Sequence, residues 1–452
     1  MEKENKLGTM PISKLIINMS LPIIISMLVQ ALYNIVDSVF VSRVCEQALT
    51  AVSLAFPAQN LMIGLATGTA VGVNALMGRA LGAKDQERAN AVAINGVFLA
   101  VVGFAICAVL ALLFAGPFFR SQTQIDYIVE NGTDYLLVCC CGSLGLFCEI
   151  MFERLLQGTG RSILSMYTQG LGAIVNIVLD PIFIFVLDMG VTGAAVATVI
   201  GQFCGCILAL IFNLKKNKEI HLQFRGFRPN WRLVGNIYAI GLPSVIMVAI
   251  GSVMTFGMNK ILIAFTSTAT AVFGVYFKLQ SFVFMPIFGM NNGMVPIIGY
   301  NYGARKPDRV KKTIKCAMFY AEAIMLVGFL LFQFLPDKLL GLFSASEAML
   351  AIGKPALRII CFHFLLAGMS IILSSTFQAL GNGMFSLIIS VCRQLVVLLP
   401  AAWLLSKTGN VNMVWWSFVI AELVSVTLSF VFFARLDKKI IEPMYDNAAA
   451  AQ

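Results

Sequence analysis

Four stretches of this chain are long and uncharged: residues 47–78, 89–119, 189–214 and 233–259 contain no Asp, Glu, Lys or Arg. A transmembrane helix needs about 20 consecutive apolar residues, so each stretch can cross a bilayer. Lipid offers the backbone no hydrogen-bond partners, and the sequence lacks the short alternating segments of an outer-membrane barrel. We therefore expect an all-α polytopic membrane protein.

The composition agrees with this expectation. Of the 452 residues, 59% are hydrophobic and 12% are charged, whereas a soluble domain carries about 25% charged residues. These values exclude a soluble enzyme, and the length accommodates about twelve transmembrane helices with short loops. The predicted spans lie near residues 15–41, 48–78, 90–118, 127–157, 163–187, 190–214, 235–263, 268–300, 310–335, 347–378, 385–405 and 412–435.

The basic residues are distributed by loop side and do not form one patch. The net charge is +10, and Lys and Arg concentrate in alternate loops, most densely in residues 215–232 and 305–315. Basic loops are retained in the cytoplasm, so both termini are expected there. We interpret these loops as orientation signals that also contact lipid headgroups. The lipid bilayer is thus an expected partner, and nucleic acid is not.

An internal duplication organises the chain. A shift of 221 residues places Leu21-Pro22 on Leu242-Pro243, GRALGAKDQER on GYNYGARKPDR and QGTGR on QALGN. Each half holds six predicted spans, an even number, so both halves share one orientation in the membrane. This parallel repeat is typical of secondary transporters. It predicts two pseudo-symmetric six-helix lobes.

The duplication also defines the domain organisation. We predict an amino-terminal lobe (1–214), a cytoplasmic linker (215–234), a carboxy-terminal lobe (235–440) and a tail (441–452). The terminal AAAAQ is interpreted as an unstructured tail or a non-native extension.

Two acids lie isolated within predicted spans, where a carboxylate costs about 2.5–3.5 kcal/mol and usually faces a cavity or a partner. These acids are Asp37 and Asp180. Asn176 lies one helical turn before Asp180 on the same face, and Thr198 is predicted at a similar depth on the next span. Such oxygens suit Na⁺, and two neighbouring carboxylates equally suit a shared proton. The sequence leaves both ions open, beside a purely structural role for the acids.

The sequence as a whole resembles the multidrug and toxic compound extrusion (MATE) family. The resemblance rests on SLPIIISMLVQALYNIVDSVFVSR, GRALGAKD, YNYGARKPD, LLQGTGR and NIVLDPIFIF, and it extends over residues 10–440. It implies two lobes around a central cavity and cation-coupled export of amphipathic, often cationic organic compounds. It also implies a cation-coupling role for Asp37 and Asp180. We accordingly expect a multi-pass protein of a bacterial cell (inner) membrane.

Four further charged residues are candidates for substrate binding or gating. Glu149, Glu153 and Arg154 occupy the inner part of the fourth predicted span. We interpret Glu153-Arg154 as an interfacial or gating contact, and Glu149 as a group that attracts a cationic substrate or passes protons. Lys278 is a candidate for shaping the cavity. Structural ion pairing is the default interpretation for charges inside the second half.

The energy source is expected to be an ion gradient. The chain has no GxxxxGK[ST] loop, and its eleven cysteines lack metal-type spacing, so no cofactor beyond a coupling H⁺ or Na⁺ is predicted. A flippase for a lipid-linked or polysaccharide precursor is the alternative, although its phosphates would favour a strongly cationic cavity. An intramembrane enzyme is disfavoured because the chain contains no GxSxG or HExxH motif.

Overall fold

The computed structural model describes residues 5–343 and 346–449. Within these ranges, eleven helices are long and apolar enough to cross a membrane, and a bent helix pair supplies the twelfth span. The predicted twelve-span architecture is thus confirmed. The spans are α1 (Ile12–Ser42), α2 (Glu46–Gly82), α3 (Gln86–Gln122), α4 (Asp126–Cys141 and Leu144–Gly158), α5 (Ser162–Val186), α6 (Gly190–Lys215), α7 (Trp231–Ile263), α8 (Ser267–Gly303), α9 (Pro307–Phe334), α10 (Glu347–Ala379), α11 (Gly383–Ser406) and α12 (Val411–Leu436).

Short polar side chains begin several of these helices. Asp85 accepts a hydrogen bond from the Arg88 amide at 3.0 Å at the start of α3. Thr266 accepts one from the Ala269 amide at 3.0 Å at the start of α8. Each side chain satisfies an amide that has no partner within the first helical turn. The loops can therefore be short without leaving backbone donors unpaired.

The fourth span departs from the prediction of one helix over residues 127–157. It consists of two helices that meet at 44°. Gly142 and Ser143 form the break, and the Ser143 hydroxyl donates to the Cys140 carbonyl at 2.7 Å. A side-chain hydroxyl that bonds the preceding turn bends a helix. The bend turns the second part of α4, which carries Glu149, against the other helices of its lobe.

The duplication extends to backbone geometry. Lys84 and Arg305, which are 221 positions apart, have φ values of 57° and 53°. Gly160 and Gly381, related by the same shift, have φ values of 88° and 75°. Non-glycine residues rarely adopt positive φ. The same turn therefore closes equivalent helices in both halves.

The two halves pack together along three seams, α2 against α7, α8 against α1 and α2 against α8. A methyl group at Gly72 would lie 3.0 Å from the Ile237 carbonyl carbon, and one at Gly293 would lie 3.0 Å from the Ser20 amide nitrogen. Only glycine lets helix backbones approach this closely. Both contacts lie toward the end of the molecule that carries residues 216–230, which we call the linker side.

An arginine also joins the halves on the linker side. Arg79 of α2 donates to the Ala379 carbonyl at the end of α10, through Nη2 at 3.1 Å and Nε at 3.3 Å. Its guanidinium carbon lies 5.0 Å from the centroid of the Tyr302 ring. A side chain at Gly381 would collide with this guanidinium, so glycine leaves the space that it occupies.

The amino-terminal segment is held between the two halves. It forms a short helix over Lys6–Thr9. The Leu7 carbonyl accepts a hydrogen bond from Nη2 of Arg309 at 3.1 Å, and Nδ2 of Asn5 donates to the Thr159 carbonyl at 3.1 Å. Thr159 belongs to the first half and Arg309 to the second. The segment therefore bridges both lobes on the linker side.

The carboxy terminus differs from the predicted unstructured tail. A helix covers Glu442–Ala449 and includes the first two alanines of AAAAQ. Residues 450–452 lie outside the described part of the chain. The Tyr445 hydroxyl donates to Asp308 at 2.8 Å, which fixes this helix against the start of α9.

Candidate functional site

The isolated acids of the first half lie together. Asp37 on α1 is 9% exposed and Asp180 on α5 is fully buried. The two carboxyl groups are close enough to affect each other electrostatically. Neighbouring carboxylates repel each other when both are ionised, so a bound cation or proton stabilises the pair.

The amide and the hydroxyl proposed from the sequence complete this cluster. Nδ2 of Asn176 donates to Oδ1 of Asp180 at 3.3 Å and to Oγ1 of Thr198 at 3.2 Å. The structure thus brings together residues from α1, α5 and α6, as expected. We call Asp37, Asp180, Asn176 and Thr198 the acidic cluster.

A proline interrupts α5 directly after the buried acid. Pro181 has no amide hydrogen, and the helix continues as a π-helical turn over Ile182–Val186. π-helical turns occur often at functional sites because they release backbone groups from the regular pattern. Asp180 therefore lies at the last regular residue before this irregularity.

Three oxygens of the acidic cluster are suited to a bound cation. Oδ1 of Asp37, Oδ2 of Asp180 and Oδ1 of Asn176 are buried and accept no hydrogen bond within the described ranges. A buried oxygen without a partner is energetically costly. Carboxylate and amide oxygens are ligands that hard cations prefer. The oxygens fit a transported Na⁺, and the two carboxylates alone fit a shared proton.

The acidic cluster borders a cavity of about 260 Å³ in the first lobe, which is lined by Asn176, Thr198 and Glu149 among others but by neither aspartate. Glu149 is 9% exposed. Its Oε1 lies 3.5 Å from the position of a methyl group at Gly172, and it would collide with one at Gly205. Glycines on α5 and α6 therefore make room for a carboxylate that the sequence identified as a possible cation-attracting group.

Glu153 and Arg154 line the same cavity but do not form an ion pair with each other within 4.0 Å. Glu153 accepts from Thr168 at 2.7 Å and from Gln169 at 2.9 Å. Arg154 donates to Gln157 at 3.1 Å. Each charge is thus oriented by neutral partners, and the gating contact between them remains a prediction.

Lys278 lies apart from the other candidates. Its side chain is exposed, and its ammonium nitrogen lies 5.9 Å from the centroid of the Phe343 ring. It is not among the residues that line the cavity of the first lobe. The structure therefore does not bring Lys278 to the candidate site.

One aromatic residue of the site was missed in the sequence. Tyr33 lines the cavity and lies within electrostatic reach of Glu149, Asp37 and Asp180. It is one helical turn before Asp37 on α1, so a search for polar residues four positions from the isolated acid would have found it. Thr168 and Gln169 donate hydrogen bonds to Glu153, but no feature of the sequence indicated this contact.

A two-lobed bundle of twelve spans, with buried acids beside an internal cavity, is the architecture of a secondary transporter. The chain belongs to the MatE family, whose sequence profile matches residues 22–182 and 243–404. The two matched segments begin 221 positions apart, one in each half. The family and the fold define a membrane transporter, not an enzyme.

The chain is also similar to curated export proteins and to solved transporter structures. It is 26% identical over 413 residues to the multidrug export protein MepA of Staphylococcus aureus (strain bovine RF122 / ET3-1), with 91% of each chain covered. It is 26% identical over 419 residues to MepA of Staphylococcus haemolyticus (strain JCSC1435), with 92% of each covered. An outward-facing multidrug resistance MATE family transporter of the MOP superfamily superposes with a TM-score of 0.91 at 28% identity, covering 99% of each chain.

Proposed function

We propose that this protein is a secondary active antiporter that exports amphipathic, often cationic organic compounds in exchange for H⁺ or Na⁺. The observation that carries the proposal is the acidic cluster, which is buried, has unpartnered oxygens and borders, through Asn176 and Thr198, the cavity that Glu149 lines. Ion and substrate can therefore influence each other through one continuous site. Similarity to MepA multidrug export proteins supports the substrate class.

The mechanism follows from the charge of the acidic cluster. When Asp37 and Asp180 hold no cation, their mutual repulsion favours a state in which the cavity accepts a positively charged compound. Binding of one H⁺ or Na⁺ removes one of the two negative charges of the pair and lowers the affinity for that compound. One cation moving down 100 mV releases about 2.3 kcal/mol, enough for roughly 40-fold accumulation of an uncharged compound. One-for-one exchange with a monovalent cationic compound is electroneutral, so it is driven by the concentration gradient of the ion.

The test is gradient-driven uptake of a fluorescent organic cation into liposomes, with Na⁺ and pH gradients applied separately. Asp37→Asn and Asp180→Asn are expected to abolish the dependence of transport on the gradient while leaving the protein folded. Asp134→Asn is the matched control, because Asp134 is an exposed acid on α4. Wild-type transport by either aspartate variant under the same gradient would refute the assignment. The gradient that drives the wild-type protein identifies the coupling ion.

The flippase alternative is less well supported by the first-lobe cavity. Glu149 and Glu153 line it, with Arg154 as the single cation among the described lining residues. A lipid-linked phosphate would meet carboxylates there. We place the protein in a bacterial cell membrane with both termini cytoplasmic, which makes the linker side the cytoplasmic side. Protease protection of an epitope tag in inside-out vesicles tests this orientation.

A further inference from the structure

A second cavity, of about 700 Å³, is lined mostly by the second lobe and by no residue of the acidic cluster. It lies among α7, α8, α10, α11 and α12, with α2 of the first half contributing part of its wall; we call it the second-lobe cavity. Its lining includes six phenylalanines, Phe56, Phe256, Phe277, Phe284, Phe288 and Phe418. A cavity of this size and apolarity fits a drug-sized aromatic compound.

The lining of this cavity also includes one ion pair. Nη1 of Arg393 on α11 lies 3.3 Å from Oε2 of Glu422 on α12. Glu422 is almost completely buried, whereas 30% of the Arg393 side chain is exposed. Nδ1 of His363 lies 3.9 Å from the same Oε2 atom, and its Nε2 is hydrogen-bonded with the Tyr276 hydroxyl at 2.8 Å. Glu422 therefore fixes one end of the Arg393 guanidinium, although Glu422 lines the same cavity.

The anchoring uses only one of the five N–H groups of the guanidinium. Within the described part of the chain, Nε and Nη2 of Arg393 make no further hydrogen bond that meets the distance and angle criteria. Arg393 lines both the second-lobe cavity and an adjoining cavity of about 400 Å³. The guanidinium is planar, and its remaining N–H groups can donate two parallel hydrogen bonds to the two oxygens of a carboxylate.

The adjoining cavity supplies neutral hydrogen-bonding groups and, among its described lining residues, no carboxylate. Nε2 of Gln394 donates to Oγ of Ser390 at 2.9 Å, so the Ser390 hydroxyl hydrogen can be donated elsewhere. Ser370 and Ser425 share one hydrogen bond at 2.6 Å, which likewise leaves one hydroxyl hydrogen between them. These donors line the same cavity as Arg393.

Irregular backbone places these groups. Residues Cys392–Leu398 form a π-helical turn within α11, and both Arg393 and Gln394 lie in it. Such turns re-aim side chains and are frequent at functional sites. The part of α5 that corresponds to Arg393 by the 221-residue shift is not π-helical. The π-helical turn of α5 lies further along the helix, after Asp180. In α11 the irregular turn thus carries a cationic side chain, whereas in α5 it follows an acidic one.

We propose that the second-lobe cavity binds the carboxylate of an aromatic amphipathic compound, with Arg393 as the binding group and Glu422 as its positioning residue. The aromatic side chains hold the apolar body. This inference rests on the proposed export function, because it assigns a binding group to the carboxylate of an exported compound.

The test is equilibrium binding to purified protein in nanodiscs, without any gradient, measured by fluorescence anisotropy. Two dyes form a matched pair: rhodamine 110, which has a free carboxylate, and its methyl ester rhodamine 123. The wild-type protein is expected to bind the acid more tightly than the ester. Arg393→Gln should weaken binding of the acid by roughly 10- to 100-fold and leave binding of the ester within about twofold.

Arg358→Gln is the matched control, because Arg358 is an exposed arginine in the same lobe, and it should change neither affinity. Arg393→Lys, which keeps the charge without the fork, should give an intermediate loss for the acid, and it serves if the glutamine variant does not fold. Tighter wild-type binding of the ester, or equal losses for both dyes, would overturn the proposal. This binding experiment uses no gradient, whereas the ion-coupling assignment is tested by gradient-driven uptake, so failure of either is recognised separately.

Discussion

Replacement of Gly72 by alanine is expected to open the seam between the lobes. The added methyl group would collide with the Ile237 carbonyl oxygen and lie 3.0 Å from its carbon. Both atoms belong to helix backbone and cannot rotate away. Overpacking of this kind costs about 1–3 kcal/mol. The cost applies only to the state in which α2 and α7 are in contact on the linker side.

A cost confined to one of two states changes their populations. A free energy of 1–3 kcal/mol corresponds to roughly 5- to 150-fold in favour of the state with the open seam. The glycine at position 78 provides the matched control on the same helix. A methyl group there would lie 3.5 Å from the Tyr300 amide nitrogen, which is ordinary van der Waals contact. Gly78→Ala should therefore leave the populations unchanged.

The assay is a distance distribution between spin labels at positions 84 and 305. Both residues are exposed, and they lie at the linker-side ends of α2 and α8. The labels should be introduced through a non-canonical amino acid, because the chain contains eleven cysteines. Gly72→Ala should increase the fraction of long distances relative to wild type and to Gly78→Ala. Identical distributions for all three proteins would refute the role of the seam.

Two further changes test other contacts of the structure. Gly205→Ala should push the Glu149 carboxylate aside and raise the KM for a cationic substrate in liposomes by roughly 3- to 10-fold; Gly170→Ala, at a position with no atom within 4 Å, should have no effect. Arg79→Gln removes two hydrogen bonds to the Ala379 carbonyl and should lower the free energy of unfolding by about 1.5–3 kcal/mol. A thermal melt that shows no decrease in Tm would contradict this expectation.

Much of the fold could be predicted from the sequence because lipid imposes simple requirements. Apolar runs and loop charges located the spans, and the 221-residue shift separated the lobes. Asp37 and Asp180 were identifiable because a charge inside an apolar run is costly. Asn176 was identifiable because it lies one helical turn before Asp180. In the structure its side chain donates a hydrogen bond to Asp180 at 3.3 Å.

Features that depend on contacts between distant segments could not be predicted. The bend at Gly142 depends on the Ser143 hydroxyl, and serine occurs within straight helices as well. The orientation of Arg393 depends on Glu422, which is 29 residues away on the neighbouring helix. Hydropathy identified both charges but not the cavity that they share. Lys278 is a case in which the sequence suggested too much. It was a candidate for shaping the cavity, but its side chain is exposed in the structure.

The bridging position of the amino-terminal segment affects how the protein is made. Leu7 is bonded to Arg309, 302 residues later in the chain. A ribosome synthesises about 5–20 residues per second, so Leu7 is made tens of seconds before Arg309. During that interval the segment can contact only the first lobe, through Asn5 and Thr159. Its contact with the second lobe therefore forms only after the start of α9 has been synthesised.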